Sequence, residues 1–274
     1  MNAEEEFMDK KIIFLDLDGT LTNDEKKVTP DTKKALIDMQ KAGHIVALAS
    51  GRPTPGILPV AKDVELEKFG GYIMAFNGGK IINAKTNEVV FEQVLDRKYI
   101  GPLLEYAKEN DTGLITYDDS RIIVGTRMDK YIEMERFINK IPVYETDINQ
   151  YVTYNPNKLL MTAEPEIAGK HELILADKYK NQLSISRSAD YFIEIMPKGI
   201  DKATSIEVLI NKLKISRDNT IACGDGYNDV SMVRYAGVGV AMENAVAAVK
   251  NVADYITASN NEDGIAKVIE KFVL

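Results

Sequence analysis

Four short apolar runs in this chain are unbroken, and each stops on a polar residue. Residues 11–15 run into Asp16, residues 44–49 into Ser50-Gly51-Arg52, residues 71–76 into Asn77-Gly78-Gly79, and residues 219–223 into Gly224-Asp225. Runs of this length without polar alternation read as strands buried on both faces, the habit of parallel sheets. Between the first two, Thr29-Pro30 opens a helix with Pro at its first position. Ala35, Leu36, Met39 and Ala42 share one of its faces, and Gly43 lies just past its end. Strand, helix, strand with short joints is the pattern of a right-handed crossover unit. In an open parallel sheet ligands bind outside the carboxyl ends of the strands. The reading therefore brings Asp16, Ser50, Asn77 and Asp225 to one sheet edge, although they come from opposite ends of the chain.

The pattern changes after about residue 83. Strands at 89–94, 113–117, 122–126, 158–163 and 183–195, with helices near 97–110, 129–139 and 166–179, read as an α+β insert with an antiparallel sheet. Buried-strand runs return at 219–223 and, more weakly, at 238–241, after a helix with Ile206, Leu209, Ile210 and Leu213 on one face. The expected fold is α/β: a doubly wound, mostly parallel, Rossmann-like core sheet from residues 1–83 and 196–274, interrupted by an inserted α+β domain over 84–195. Met128, Met134 and Met161 of the insert are expected in its core.

Charge and cysteine usage narrow the partners. Lys plus Arg number 34 against 42 Asp plus Glu, a formal charge of −8. That argues against a surface for nucleic acid or anionic lipid, but not against a small anionic ligand held by local donors. A single cysteine, Cys223, excludes a disulfide framework and a multi-cysteine metal site. It sits on an apolar strand, where it reads as a small buried hydrophobe. The polar first ten residues, with Glu4-Glu5-Glu6 as a solvated tail, are expected not to form a signal peptide. No stretch of 18 apolar residues suggests a membrane span, so a cytoplasmic location is expected. His44 and His171 lie in no motif, which argues against histidine-based chemistry. Oligomeric state is left open.

The polar strand ends carry a specific chemistry. Asp16 and Asp18 stand two residues apart in Asp16-Leu17-Asp18-Gly19-Thr20, and Asp225 and Asp229 add two carboxylates in Gly224-Asp225-Gly226-Tyr227-Asn228-Asp229. Carboxylates crowded in one cleft repel and raise one another's pKa. A hard divalent cation such as Mg2+ removes that cost. An ionised carboxylate can also attack phosphorus, provided the phosphoryl charge is neutralised by metal, cations and hydrogen-bond donors. Ser50, the Gly51 N–H, Lys202 at a helix start, and Asn228 are placed to supply those donors.

Asp-Leu-Asp-Gly-Thr-Leu, Ser-Gly-Arg, a lone lysine and Gly-Asp-Gly-Tyr-Asn-Asp, in that order, resemble the haloacid dehalogenase superfamily of phosphohydrolases. The insert between the Ser and Lys motifs, Phe76-Asn77-Gly78-Gly79 and the closing run Asn260-Asn261-Glu262-Asp263-Gly264 are similar to its Cof-type sugar-phosphatase branch. The resemblance implies a Mg2+-dependent phosphatase that hydrolyses small phosphate monoesters, such as sugar phosphates or phosphorylated cofactors, through an aspartyl-phosphate. It implies Asp16 as nucleophile and metal ligand. Asp18 would be the acid and then the base, binding metal through its carbonyl. Leu17, Ser50, Gly51, Lys202 and Asn228 would be the phosphate contacts, with Asn228 alternatively orienting Lys202. Asp225 would be a metal ligand, Asp229 a ligand or its neighbour, Arg52 and Asn77 possible substrate contacts, and the insert a mobile cap. True dehalogenases lack the second Asp of the first motif, so Asp18 argues against carbon–halogen cleavage. A phosphomutase or phosphotransferase, or a non-catalytic phosphometabolite-binding protein, are the alternatives on the same core.

Overall fold

The structure is a computed structural model and describes residues 10–274, so the acidic run at Glu4–Glu6 lies outside the described residues. Its strands in chain order are β1 (Ile12–Leu15), β2 (Ile45–Ala49), β3 (Tyr72–Ala75), β4 (Lys80–Asn83), β5 (Val89–Glu92), β6 (Gly113–Tyr117), β7 (Ile122–Val124), β8 (Val143–Glu145), β9 (Leu159–Thr162), β10 (Leu183–Ala189), β11 (Phe192–Pro197), β12 (Thr220–Gly224), β13 (Val238–Ala241) and β14 (Tyr255–Ile256). The chain divides into two compact units. One comprises the chain up to Arg52, Ile57–Phe91 and Asp201–Leu274, and the other Pro53–Gly56 and Glu92–Ile200. Among the described residues, no helix is long and apolar enough to cross a membrane.

The first unit is built on an eight-stranded sheet in the order β14-β13-β12-β1-β2-β3-β4-β5. The four apolar runs of the sequence are its centre. β1 pairs in parallel with β12 and with β2, and β2 with β3, so that Leu15 lies opposite both Cys223 and Leu48. That register puts the polar residues following all four strands along one edge. The strand order reverses at β1, and right-handed crossovers on either side of such a point put their helices on opposite faces. Helix Pro30–Lys41 begins with its proline and ends before Gly43, whose φ of +93° is a left-handed turn. It lies against helix Gly264–Phe272, and Leu36 and Met39 of the one and Ile265, Val268 and Ile269 of the other are buried. Ala42, expected on the apolar face, lies instead at the exposed helix end, where the chain is already turning away. Cys223 is fully buried, and burial pushes its thiol well up.

The second unit is a six-stranded sheet in the order β10-β11-β9-β6-β7-β8, antiparallel except for the parallel pair β7–β8. Helices Ile100–Glu109 and Pro165–Lys178 bury Leu103, Leu104 and Leu175 in one core with Leu159, Met161 and Ile193. Helix Lys130–Asn139 starts because Asp129 accepts hydrogen bonds from the Tyr131 and Ile132 N–H groups, both at 2.8 Å.

Three expectations about the insert need correction. The strand at 89–94 does not join the insert's sheet: β5 is the outer edge of the first sheet, reached from β4 by a short turn that Asn83 and Asn87 close. An edge strand has the same half-exposed pattern whichever sheet it borders. Residues 183–195 are not one strand but the hairpin β10–β11, turning at Asp190-Tyr191 after a register shift near Arg187. Met161 is core, but Met134 is exposed, because Ile132 and Glu135 take the inward face of their helix.

Ile269, in helix Gly264–Phe272, is 0% exposed, whereas Phe137 is 81% exposed. Ile269→Ala is expected to cost about 2–5 kcal/mol, and Phe137→Ala within about 0.5 kcal/mol, read as shifts in the urea midpoint.

Candidate active site

Lys202 is the first residue of helix Lys202–Leu213, and its side chain is 0% exposed. An ammonium withdrawn from water needs anionic partners. Its Nζ donates to Asp16 Oδ1 at 2.7 Å and to Asp229 Oδ1 at 2.6 Å. Asp201 caps the helix by accepting from the Thr204 N–H at 2.8 Å. Ser205 Oγ then donates to the Gly78 carbonyl at 3.0 Å, fixing the helix start to the turn after β3. Lys198, four residues earlier, is exposed and belongs to the second unit, where it donates to the Lys180 carbonyl. Burial, which spacing does not reveal, separates the two lysines.

Asp16, Asp225 and Asp229 each offer a carboxylate oxygen, and these lie within 4.8 Å of one another. Asp229 Oδ2 accepts from the Asp225 N–H at 3.0 Å and the Gly226 N–H at 2.9 Å, which folds the loop after β12 back on itself. Thr20 Oγ1 donates to Asp225 Oδ1 at 2.7 Å. The loop after β1 comes this close only because residue 19 is glycine: its φ is +84°, and a Cβ there would lie 2.4 Å from Asp225 Oδ2. Burial raises the Asp16 carboxyl well above the usual range, and Asp229 and Asp225 add to that against the pull of Lys202. Burial likewise pushes Asp225 up to about 6, opposed by the Thr20 hydrogen bond. Burial would lower Lys202, but Asp16 and Asp229 outweigh it and hold the ammonium above its ordinary value. An all-oxygen donor set with this much mutual repulsion fits a hard divalent cation.

Asp18 faces another way, and its carboxylate is not part of that group. Arg52 grips it with Nε to Oδ2 at 2.7 Å and Nη2 to Oδ1 at 2.5 Å, and Lys26 Nζ donates to Oδ1 at 2.8 Å. Burial would raise Asp18, but these cations outweigh it and hold the carboxyl below the usual range. Ser50 is buried, and its Oγ accepts from the Arg52 N–H at 3.2 Å while its carbonyl accepts from the Asn77 N–H at 2.9 Å. A Cβ on Gly51 would lie 3.2 Å from Asn77 Oδ1, and the same oxygen accepts from Asn228 Nδ2 at 3.0 Å. Leu17 is fully buried, with its carbonyl accepting from the Thr22 N–H and Oγ1, so a ligand there would meet backbone only.

Sequence reasoning missed four contributors. Thr20 stands inside the first motif, and Asn260 inside the closing run, so a signal existed for both. Lys26 and Asn244 lie in no pattern. Asn244 Nδ2 donates to the Gly19 carbonyl at 2.8 Å, and its Oδ1 accepts from the Asn260 N–H at 3.1 Å.

A family model described as haloacid dehalogenase-like hydrolase matches residues 13–269. The crystal structure of a haloacid dehalogenase-like hydrolase from Bacteroides thetaiotaomicron is 42% identical with a TM-score of 0.92, covering 96% of this chain and 99% of that one. The 5-amino-6-(5-phospho-D-ribitylamino)uracil phosphatase YcsE of Bacillus subtilis (strain 168) is 28% identical over 274 residues, 100% of each chain. A solved haloacid dehalogenase subclass IIB sugar phosphatase, 24% identical with a TM-score of 0.82, shares the fold over 96% of this chain and 99% of its own.

Lys202→Met leaves Asp16 and Asp229 facing each other uncompensated, and is expected to cost about 3–5 kcal/mol. Burial, with the Asp229 charge beside it, raises the Asp16 carboxyl in the folded state, and removing Lys202 takes away the charge that opposes this. The loss is therefore full above the folded-state pKa of Asp16 and is relieved as pH falls through it. Urea unfolding at pH 8 and pH 5.5 measures it, and a loss equal at both would refute the electrostatic account.

Proposed function

The chain belongs to the haloacid dehalogenase-like hydrolase family, and from that premise we propose that it is a phosphatase of the Cof-type, subclass IIB branch that hydrolyses small phosphate monoesters through an aspartyl-phosphate on Asp16. The observation that carries this reading is the buried Lys202 ammonium joining Asp16 to Asp229 beside Asp225. The fixed ammonium opposes the burial that raises Asp16 and so favours the ionised carboxylate that phosphoryl transfer requires. Asp16, Asp225 and Asp229, with the Asp18 carbonyl, would hold Mg2+. When bound, that ion would neutralise charge on the transferring group.

The remaining steps belong to the chain's own residues. Lys202 engages Asp16 Oδ1, leaving Oδ2 to form the new O–P bond as the ester P–O bond breaks. The leaving oxygen keeps the electron pair of the breaking P–O bond and takes a proton from the protonated form of Asp18, the form that the water step regenerates. Water then attacks the phosphorus of the aspartyl-phosphate and gives its proton to Asp18, releasing phosphate and restoring Asp16. With three charged donors on it, Asp18 is described in its ionised form, the one that accepts the proton from water. Ser50 Oγ, the Gly51 N–H, Asn228 and Lys202 hold the phosphoryl oxygens, with Arg52 and Asn77 beside them. The second unit, Glu92–Ile200 with Pro53–Gly56, is the part proposed to act as the cap that chooses the alcohol. Sugar phosphates and phosphorylated cofactors are the proposed substrates, which agrees with a relative named for a phosphorylated ribitylaminouracil.

Free phosphate released from p-nitrophenyl phosphate and a panel of sugar phosphates, in Mg2+ or EDTA, tests this. Release should require the metal and fall by about a thousandfold or more in Asp16→Asn. Equal activity in wild type and variant would overturn the nucleophile assignment.

A further inference from the structure

The closing run Asn260-Asn261 has no part in the chemistry above, yet it is tied to the opposite end of the chain. Asn260 Nδ2 donates to the Thr22 carbonyl and to Asp24 Oδ1, both at 3.1 Å. Asn261 Nδ2 donates to Asp24 Oδ2 at 3.0 Å, and its Oδ1 accepts from the Asp24 N–H at 3.1 Å. Two adjacent asparagines thus engage both carboxylate oxygens and the amide of one aspartate. Beyond Asp24 the turn closes on itself. The Lys26 N–H donates to the Asn23 carbonyl at 2.8 Å and the Asn23 N–H to the Lys27 carbonyl at 2.9 Å. The Lys27 N–H also donates to Asn23 Oδ1, at 3.0 Å. Lys26 itself takes φ +61°, a left-handed conformation that glycine or asparagine adopts more readily than lysine.

The outcome of that clamp is the place of one ammonium. Lys26 Nζ stands 2.8 Å from Asp18 Oδ1 while half of its side chain, 50%, remains in solvent. The other cation on Asp18 is different in kind: the Arg52 side chain is 11% exposed and binds both carboxylate oxygens. Lys26 makes a single hydrogen bond to the carboxylate from a half-exposed side chain.

The next step rests on the reading of Asp18 as the group that protonates the leaving oxygen. Asp18 must then touch that oxygen, and an ammonium one hydrogen bond from Asp18 lies beside the alcohol part of the substrate. We propose that Lys26 contacts the leaving alcohol and favours phosphate esters that carry a second anionic group, a carboxylate or another phosphate, near the ester oxygen. Such an anion would take the position at Lys26 that Asp18 Oδ1 holds in this structure.

The test is competitive inhibition of p-nitrophenyl phosphate hydrolysis, in Mg2+, by 3-phosphoglycerate and by glycerol 3-phosphate, which differ by a carboxylate in place of a hydroxymethyl group. Wild type should bind the carboxylate compound about tenfold more tightly. Lys26→Met should bring the ratio of inhibition constants close to one, and Lys26→Arg should keep it. Asn261→Ala, on an exposed residue, should fall between them because the turn is loosened while the charge remains. A wild-type ratio near one, or a ratio that survives Lys26→Met, would overturn the proposal. If Lys26→Met melts at assay temperature, Asn261→Ala carries the test, and an unchanged ratio there would sink it. Absence of any phosphate release by wild type would instead defeat the phosphatase reading on which the proposal stands.

Discussion

An ammonium without water must be surrounded by acceptors, and most of the first unit's site follows from where Lys202 finds them. One acceptor ends β1 and the other lies beyond β12, neighbouring strands at the centre of the sheet. The helix that starts with Lys202 is fixed at its other side by Ser205 on the Gly78 carbonyl, which anchors the turn bearing Asn77. That turn in turn holds Ser50 and Asn228. Replacing a buried ion pair with apolar groups is often neutral or stabilising, so this arrangement makes poor sense as a device for stability alone. Its sense lies in the geometry it imposes on Asp16.

Two aspartates separated by a single leucine are held in opposite electrostatic states. Asp16 is buried against Asp229 and Asp225, which makes ionisation costly until more positive charge arrives. Asp18 is turned to Arg52 and Lys26, which make ionisation easy. Ionised Asp18 is the form that takes a proton from water, whereas Asp16 reaches its attacking, ionised form when cationic charge joins Lys202 beside it. The division depends on glycine at position 19, without which the first loop could not approach Asp225.

Legibility in the sequence followed burial. Strands covered on both faces leave runs with no polar interruption, and β1, β2, β3 and β12 were readable for that reason. Short, half-exposed strands at or next to a sheet edge leave no such mark: β4, β8 and β14 went unread and β5 was assigned to the wrong sheet. The helix Thr54–Asp63 was missed because Pro59 lies inside it, where proline ordinarily argues against helix. At the site, Asp16, Ser50, Asn77, Lys202, Asp225 and Asp229 were nameable because each follows a buried strand or stands in a motif. Lys26 and Asn244 follow no strand and belong to no motif, so nothing local marked them.

By itself the sequence determined which strands are buried, that their carboxyl ends share an edge, and the types and order of the groups delivered there. Those features are written in local periodicity and in short spacings, which survive without knowledge of the fold. Only the tertiary structure decided that Lys202 and not Lys198 is enclosed, that Asp18 turns from the other carboxylates, and that Asn260 and Asn261 act through Asp24 on the turn carrying Lys26. Each of these depends on contacts between distant segments, set by strand register and by loop conformations such as the left-handed residues at positions 19 and 26. A pattern of neighbours along the chain carries no record of which distant donor will meet which acceptor.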